Sequence, residues 1–143
     1  MTLAQTNAVV ARTQTDSWAA SKTFKLVAPR DAQGNLPVAP YAVWQPSDGT
    51  STQERFTGGK STMHPRYVLH AVGSDYDNAQ KFLERIKAKF IDANGFGIPL
   101  LVAGETCRNL RWESVQGVQV DNDLTPPLIW ATAEITWDAE PAN

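Results

Sequence analysis

Cysteine is nearly missing from this chain of 143 residues: Cys107 is its one thiol. That excludes an internal disulfide framework and a cysteine-based zinc site. Histidine is almost as scarce, with only His64 and His70. No stretch approaches the ~20 apolar residues of a membrane-spanning helix. The N-terminus, MTLAQTNAVVARTQ, lacks the basic start and apolar run of a signal peptide. The chain is therefore expected in the cytosol where it is made, with no membrane contact. A basic surplus is missing too. Thirteen Lys and Arg against 15 Asp and Glu leave a net charge of −2, with a pI of about 5.6. This argues against a dedicated nucleic-acid binder while leaving room for a local basic stripe. Internal repeats and low-complexity segments are absent.

What is there suffices for one domain, residues 1–143, with a packed core. Hydrophobic residues make up 42% of the chain. Charged residues make up 20%, below the usual share of about 25%, which favours surfaces covered by partners. Five Trp are many for this length; tryptophan serves cores, and it is also over-used at interfaces.

The stretch 40–73 organises the rest. PYAVWQP and PRYVLHAVG alternate with period two, are rich in aromatic and β-branched residues, and are bounded by Pro and Gly. Both read as strands, 41–45 and 66–72. Between them the polar excursion 48–64 is long for a hairpin connection and reads as an extended arm that touches something else. Pro46, Ser47, Asp48 and Gly49 give a turn signal that closes the first strand. A short extra strand is expected at 54–57. Phe56 is the large apolar residue of the arm, and beside Arg55 it makes a candidate interface anchor.

Elsewhere the N-terminal segment 1–20 is rich in Ala, Thr and Gln, with a helix expected at 3–11 or at 17–22. A first strand is expected at 24–27. The clearest helix covers 76–91, with Ser74 as N-cap and Asp77 in its first turn. Ala79, Phe82, Leu83, Ile86 and Phe90 form one apolar stripe, and Asn94 with Gly95 ends the helix. Strands are expected at 98–103, 110–113, 115–120 and 128–137, with residues 138–143 as a loose tail. In the last strand Ile129, Ala131, Ala133, Ile135 and Trp137 make one face. Together these elements predict an α+β domain: a mainly antiparallel or mixed sheet packed by one central amphipathic helix, with a short N-terminal helix and a long polar hairpin arm.

Chemical motifs are weak. Gly59, Lys60 and Ser61 resemble the end of a phosphate-binding loop, but the first glycine of that pattern falls on Glu54, and no apolar strand leads in. His70 lies mid-strand among apolar residues and reads as a hydrogen-bonded structural histidine. No spacing supports a Cys107–His pair. Asp121, Asn122 and Asp123 lack the glycine and closing glutamate of a calcium loop and read as a turn. No catalytic, cofactor or metal residues are expected. Lys81, Arg85 and Lys89 recur every four residues as a basic stripe, either a solvated face or a contact for DNA or an acidic partner. Trp130 lies on the polar side of the last strand, either under a second layer or as an interface anchor.

Three segments carry a family resemblance: LPVAPYAVWQPSDGTSTQERFTGG, HPRYVLHAVGSDYDNAQKFLERIKAKF and VDNDLTPPLIWATAEITW. Together, over residues 36–137, they resemble the tail terminator, or tail-completion, proteins of long-tailed bacteriophages. The shared features are strands and turns rather than a catalytic signature. Lys60 and the Ala/Thr-rich N-terminus fall outside the pattern. The resemblance implies a mixed α/β fold assembled as a homo-oligomeric hexameric ring. The ring caps the tail tube protein, stops tube elongation and joins the tail to the head–tail connector protein. It implies a virion location after synthesis in the host cytoplasm, passing contact with genomic DNA in the lumen, and neither catalysis nor cofactor. A head–tail connector or neck adaptor, a tail tube protein, and a small hydrolase using His64, His70 or Cys107 are the competing readings.

Overall fold

The computed structural model describes residues 2–53, 61–124 and 127–141. Among these residues two helices and five strands follow in the order α1 (Leu3–Thr13), β1 (Thr23–Lys25), β2 (Tyr41–Gln53), β3 (Ser61–Gly73), α2 (Tyr76–Phe90), β4 (Glu105–Asp121) and β5 (Leu128–Pro141). They form one mixed sheet of order β1-β2-β3-β5-β4. Only the β1–β2 pair is parallel; the other pairs are antiparallel. The α+β class read from the sequence is the class observed.

Of the two alternative positions for the N-terminal helix, the first is the one that forms. Thr2 caps it: its hydroxyl accepts from the Gln5 amide at 3.1 Å, while Gln5 Oε1 accepts from the Thr2 amide at 2.9 Å, a reciprocal capping box. The helix expected at 17–22 is instead a series of turns, because the Asp16 carboxylate takes the Trp18 amide at 3.0 Å and competes with helical bonding. β1 ends at Lys25, two residues short of expectation, because Leu26 turns the chain away at φ 68°.

The arm's strands run further than expected. β2 continues to Gln53 and pairs with β3 down to Gln53–Ser61. The residues read as a closing turn are absorbed by a bulge between Ser47 and Thr50. β1 covers β2 only as far as Trp44, so Pro46 lies where β2 is an edge strand, a setting that tolerates proline. The expected strand at 54–57, the phosphate-loop-like glycines and the candidates Arg55 and Phe56 lie outside the described residues.

α2 is capped by Asp75, not Ser74. The Asp75 carboxylate accepts from the Asn78 amide at 2.8 Å and complements the helix dipole as a hydroxyl cannot. The helix stops at Phe90, with Ile91 extended. Asn94 and Gly95 serve the tight loop beyond it, in which Asp92 accepts from the Asn94 and Phe96 amides and Gly95 adopts φ 87°. Gly73 is where β3 meets the helix. A β-carbon there would lie 2.2 Å from the Ala79 nitrogen, so only glycine permits the approach.

Residues 98–103 make no strand. The Arg12 guanidinium takes the Ile98 and Pro99 carbonyls, and Leu100 and Val102 are buried as anchors without a ladder. The two strands expected at 110–113 and 115–120 are one strand, β4, interrupted by bulges at 108–111, 113–116 and 116–119. The expected loose tail is also corrected for residues 138–141. β5 continues to Pro141 and pairs with Glu105–Arg108, held by Ala139 in the core and by Asp138 and Glu140 in ion pairs.

The core lies between the sheet and the two helices. α2 buries Ala79, Phe82, Leu83, Ile86 and Phe90, its expected stripe, against Trp44, Leu69, Ala133, Ile135 and their neighbours. Tyr67 stacks on Trp137 with centroids 5.6 Å apart, and Trp44 Nε1 donates to Thr13 at 2.8 Å.

Candidate interaction surface

The second face of the sheet is finished differently along its length. At the end formed by the start of β2, the end of β3 and the start of β5, Tyr41, Val43 and Val72 are buried as a separate small cluster. Phe24, Ala28, Leu128 and Trp130 pack around it. The chain from Leu26 to Leu36 crosses this end as a strap but does not close it. A groove of about 520 Å³ remains, with Leu26, Val27 and Ala28 on the strap side, Tyr41, Val43 and Trp130 along the sheet, and Arg30 and Asp121 among its polar lining. Leu26 and Val27 are 58% and 67% exposed. Trp130 thus has a partial second layer above it.

Towards the hairpin the same face becomes a carpet of paired polar and charged side chains. Arg66 Nε lies 2.8 Å from Glu134, His64 Nδ1 2.9 Å from Asp138, and Arg108 Nε 3.2 Å from Glu140. Asn109 donates to Asp138 at 2.8 Å, and this bond is the main reason the Asp138 carboxyl is held below its ordinary pKa. His64 and Arg111 add to the effect. Burial pushes His70 below its ordinary value, favouring the neutral ring. His70 lies 3.3 Å from Gln45 Oε1, the hydrogen-bonded histidine that its position predicted.

The basic stripe of α2 is divided. The Arg85 guanidinium sits 3.0 Å from Asp16, donates to Ser17 at 2.9 Å and lies 4.4 Å over the Trp18 ring. Asp16 is only 4% exposed, so Arg85 is committed to joining α2 to the turn after α1. Lys81 Nζ also lies over the Trp18 ring, at 5.8 Å, and the Lys89 carbonyl accepts from Arg12 at 3.2 Å. Of the stripe, Lys81 is exposed, whereas Arg85 and Lys89 are half-buried.

Among the described residues, Cys107 and the two histidines are not brought together. Cys107 belongs to the helix-side core, where burial raises its thiol pKa, whereas Asp138 with its partner His64, and the groove residue His70, occupy the opposite face. The sheet stands between them. Asp121 accepts from the Asp123 amide at 3.0 Å, the turn expected there. Among the described residues no three His, Cys, Asp or Glu side chains gather as a metal site.

No family model and no curated protein matches the chain. A solved structure does. The fold is similar to that of a chain in the virion of a native gene transfer agent particle. The TM-score is 0.66, and the match covers 94% of this chain and 92% of that one, at 11% sequence identity. Identity that low shows the shared fold alone, but it is shared over nearly the whole of both chains.

Sequence reasoning missed the groove. It assigned the sheet one core face, and the strap that builds the second has no periodicity to find. The available signal was the second alternation, Tyr41 and Val43 with Val72, Leu128 and Trp130, all apolar on the face opposite the core.

Proposed function

We propose that this chain is a structural, non-catalytic protein of a phage-type virion. More narrowly, it is a tail terminator: a hexameric ring that caps the tail tube, ends its elongation and joins the tail to the head connector. The observation that carries this reading is the fold held in common, end to end, with a chain of a gene transfer agent virion. The family pattern in the sequence over residues 36–137 supports the narrower role. A groove left apolar and uncovered, and a hairpin whose strands pair out to Gln53 and Ser61, are what a subunit built to meet other subunits would carry. On this reading Trp130, Arg55 and Phe56 serve subunit contacts, and Lys81 and Lys89 are the cations of α2 offered to DNA or an acidic neighbour.

Native mass spectrometry and negative-stain microscopy of the purified chain test the ring, with a hexamer expected. Adding the protein to assembling tail tubes tests the role. Tubes of uniform length capped at one end support a terminator. Binding to head connectors without any effect on tube length assigns the chain to the neck instead, and a monomer that binds neither removes the virion reading.

A further inference from the structure

The strap that crosses the groove is bonded mainly to itself. Asp31 closes a turn in its middle. The Asp31 carboxylate accepts from the Gln33 and Asn35 amides, each at 2.9 Å, and the Asp31 amide donates to the Asn35 carbonyl at 2.9 Å. Gly34 completes the turn at φ 82°, and the Arg30 guanidinium donates to the Gly34 carbonyl at 2.8 Å. Among the described residues no hydrogen bond joins 28–37 to the sheet. The ties lie at the two ends. The Leu26 amide donates to the Trp44 carbonyl at 2.8 Å, and Lys22 Nζ donates to the Val38 carbonyl at 2.9 Å. A segment bonded internally and fastened only at its ends has the build of a hinged body.

The Leu26 end is under strain. The Val27 amide donates to the Lys25 carbonyl at 2.8 Å, which makes a three-residue turn with Leu26 at its centre, at φ 68°. This is the rare, strained form of the γ-turn, and a bulky residue stays there only when its surroundings impose it. The Leu26 side chain is more than half exposed, so packing does not impose it. Gln45 holds the turn instead. Its Nε2 donates to the Leu26 carbonyl at 2.9 Å, and its Oε1 lies 3.3 Å from His70 Nε2. Gln45 and His70 both line the groove, so the amide that holds the strap's end is part of the cavity wall.

We infer that the strap is a hinged lid on the groove, latched at Leu26 by the Gln45 side chain. Breaking the latch lets Leu26 leave the positive-φ region, and the strap swings on its two ends. The floor of the groove, Tyr41, Val43 and Val72, is buried while the latch holds and becomes accessible to an apolar ligand when it opens. The inference concerns the single chain and does not depend on the ring.

Two variants test it, neither in the helix-side core. Leu26→Ile keeps the apolar volume but puts a β-branched residue where φ is positive. Gln45→Glu keeps an acceptor towards His70 and removes the donor to Leu26. Amide hydrogen exchange by NMR reads the latch. In both variants the Leu26 and Val27 amides should exchange faster, by roughly tenfold, the worth of one hydrogen bond. The amides of Leu69 and Ala133 in the central strands should keep their rates. The neutral dye Nile red reads the groove: its fluorescence should rise in both variants, and Trp130→Ala in the same backgrounds should abolish the rise. Unchanged exchange at Leu26 and Val27 overturns the latch. Faster exchange that spreads to Leu69 and Ala133 also overturns it, because the substitutions then loosen the whole fold. Faster exchange at the strap without a rise in dye binding removes the lid, since the strap would then move without uncovering the groove.

Discussion

On the helix side of the sheet, Trp44, Tyr67, Leu69, Ala133, Ile135 and Trp137 are fully buried. On the other side, Tyr41, Val43 and Val72 are buried beside a strap that leaves Leu26 and Val27 more than half exposed. The first face is sealed by the buried stripe of α2 together with α1 and the loop residues Leu100 and Val102. The second is sealed at one end by irregular chain and at the other by paired charges. The difference separates two tasks. The helix side supplies the apolar burial that outweighs the entropy of ordering the chain. The strap side leaves apolar area exposed at Leu26 and Val27.

The sharpest way to break this comparison is to damage the sealed face. Ile86→Asp puts an unpaired carboxylate among Phe82, Phe90 and the sheet and is expected to cost on the order of 4 kcal/mol or more. Insoluble protein, or collapse of the thermal transition, is the expected result; an unchanged melting temperature would mean that α2 does not pack as described.

A smaller effect is expected at the joint between the two helices. Asp16→Ala leaves the Arg85 guanidinium without its buried partner and should cost roughly 2–3 kcal/mol, read as a lower urea midpoint. Arg85→Glu should also destabilise, whereas Lys81→Glu should leave the melting temperature within about a degree or two. Equal stability losses at Lys81 and Arg85 would contradict the division of the stripe.

On the strap side, Trp130→Ala should cost no more than about 2 kcal/mol, because its surroundings are open, against about 3–5 kcal/mol for Trp137→Ala in the sealed core. Trp130→Ala should leave a folded monomer and weaken self-association, seen by sedimentation. Equal costs at the two tryptophans would erase the distinction between the faces.

The smallest effect is one of pH. The Asp138 carboxyl is held below its ordinary pKa, first by Asn109 and then by His64 and Arg111. Its contribution to stability is therefore fully present above the unfolded carboxylate pKa of about 3.9 and is lost as pH falls through the lower folded value. Asp138→Asn should lower stability near neutrality, where that contribution is present, and flatten the fall in stability below about pH 4. Urea midpoints across that range would show it, and parallel profiles for the two proteins would rule it out.

Local pattern carried a good part of the fold. Phe82, Ile86 and Phe90 recur at helical spacing, and α2 forms where they predict, one residue shorter. Alternation at 41–45, 66–72 and 128–137 located the central strands, since each faces a core on one side and the period is visible without knowledge of the partner. β4 was harder. Its three bulges shift the inward face repeatedly, so no single period survives from Glu105 to Asp121. The loop at 98–103 misled in the opposite sense, alternating Leu100 and Val102 into the core while Arg12 takes neighbouring carbonyls that a ladder would use.

By itself, then, the sequence determined the α+β class, the helix stripe and the sealed face, because these follow from the spacing of apolar residues along a few consecutive turns or pleats. Only the tertiary structure decided that Arg85 pairs with Asp16. It also extended β5 past Trp137 along β4, and laid the strap at 26–36 across one end of the second face without closing it. Each of these depends on groups far apart in the chain, 69 residues in the case of Asp16 and Arg85. Local periodicity carries no record of such pairings; they exist once the sheet order has brought the segments together.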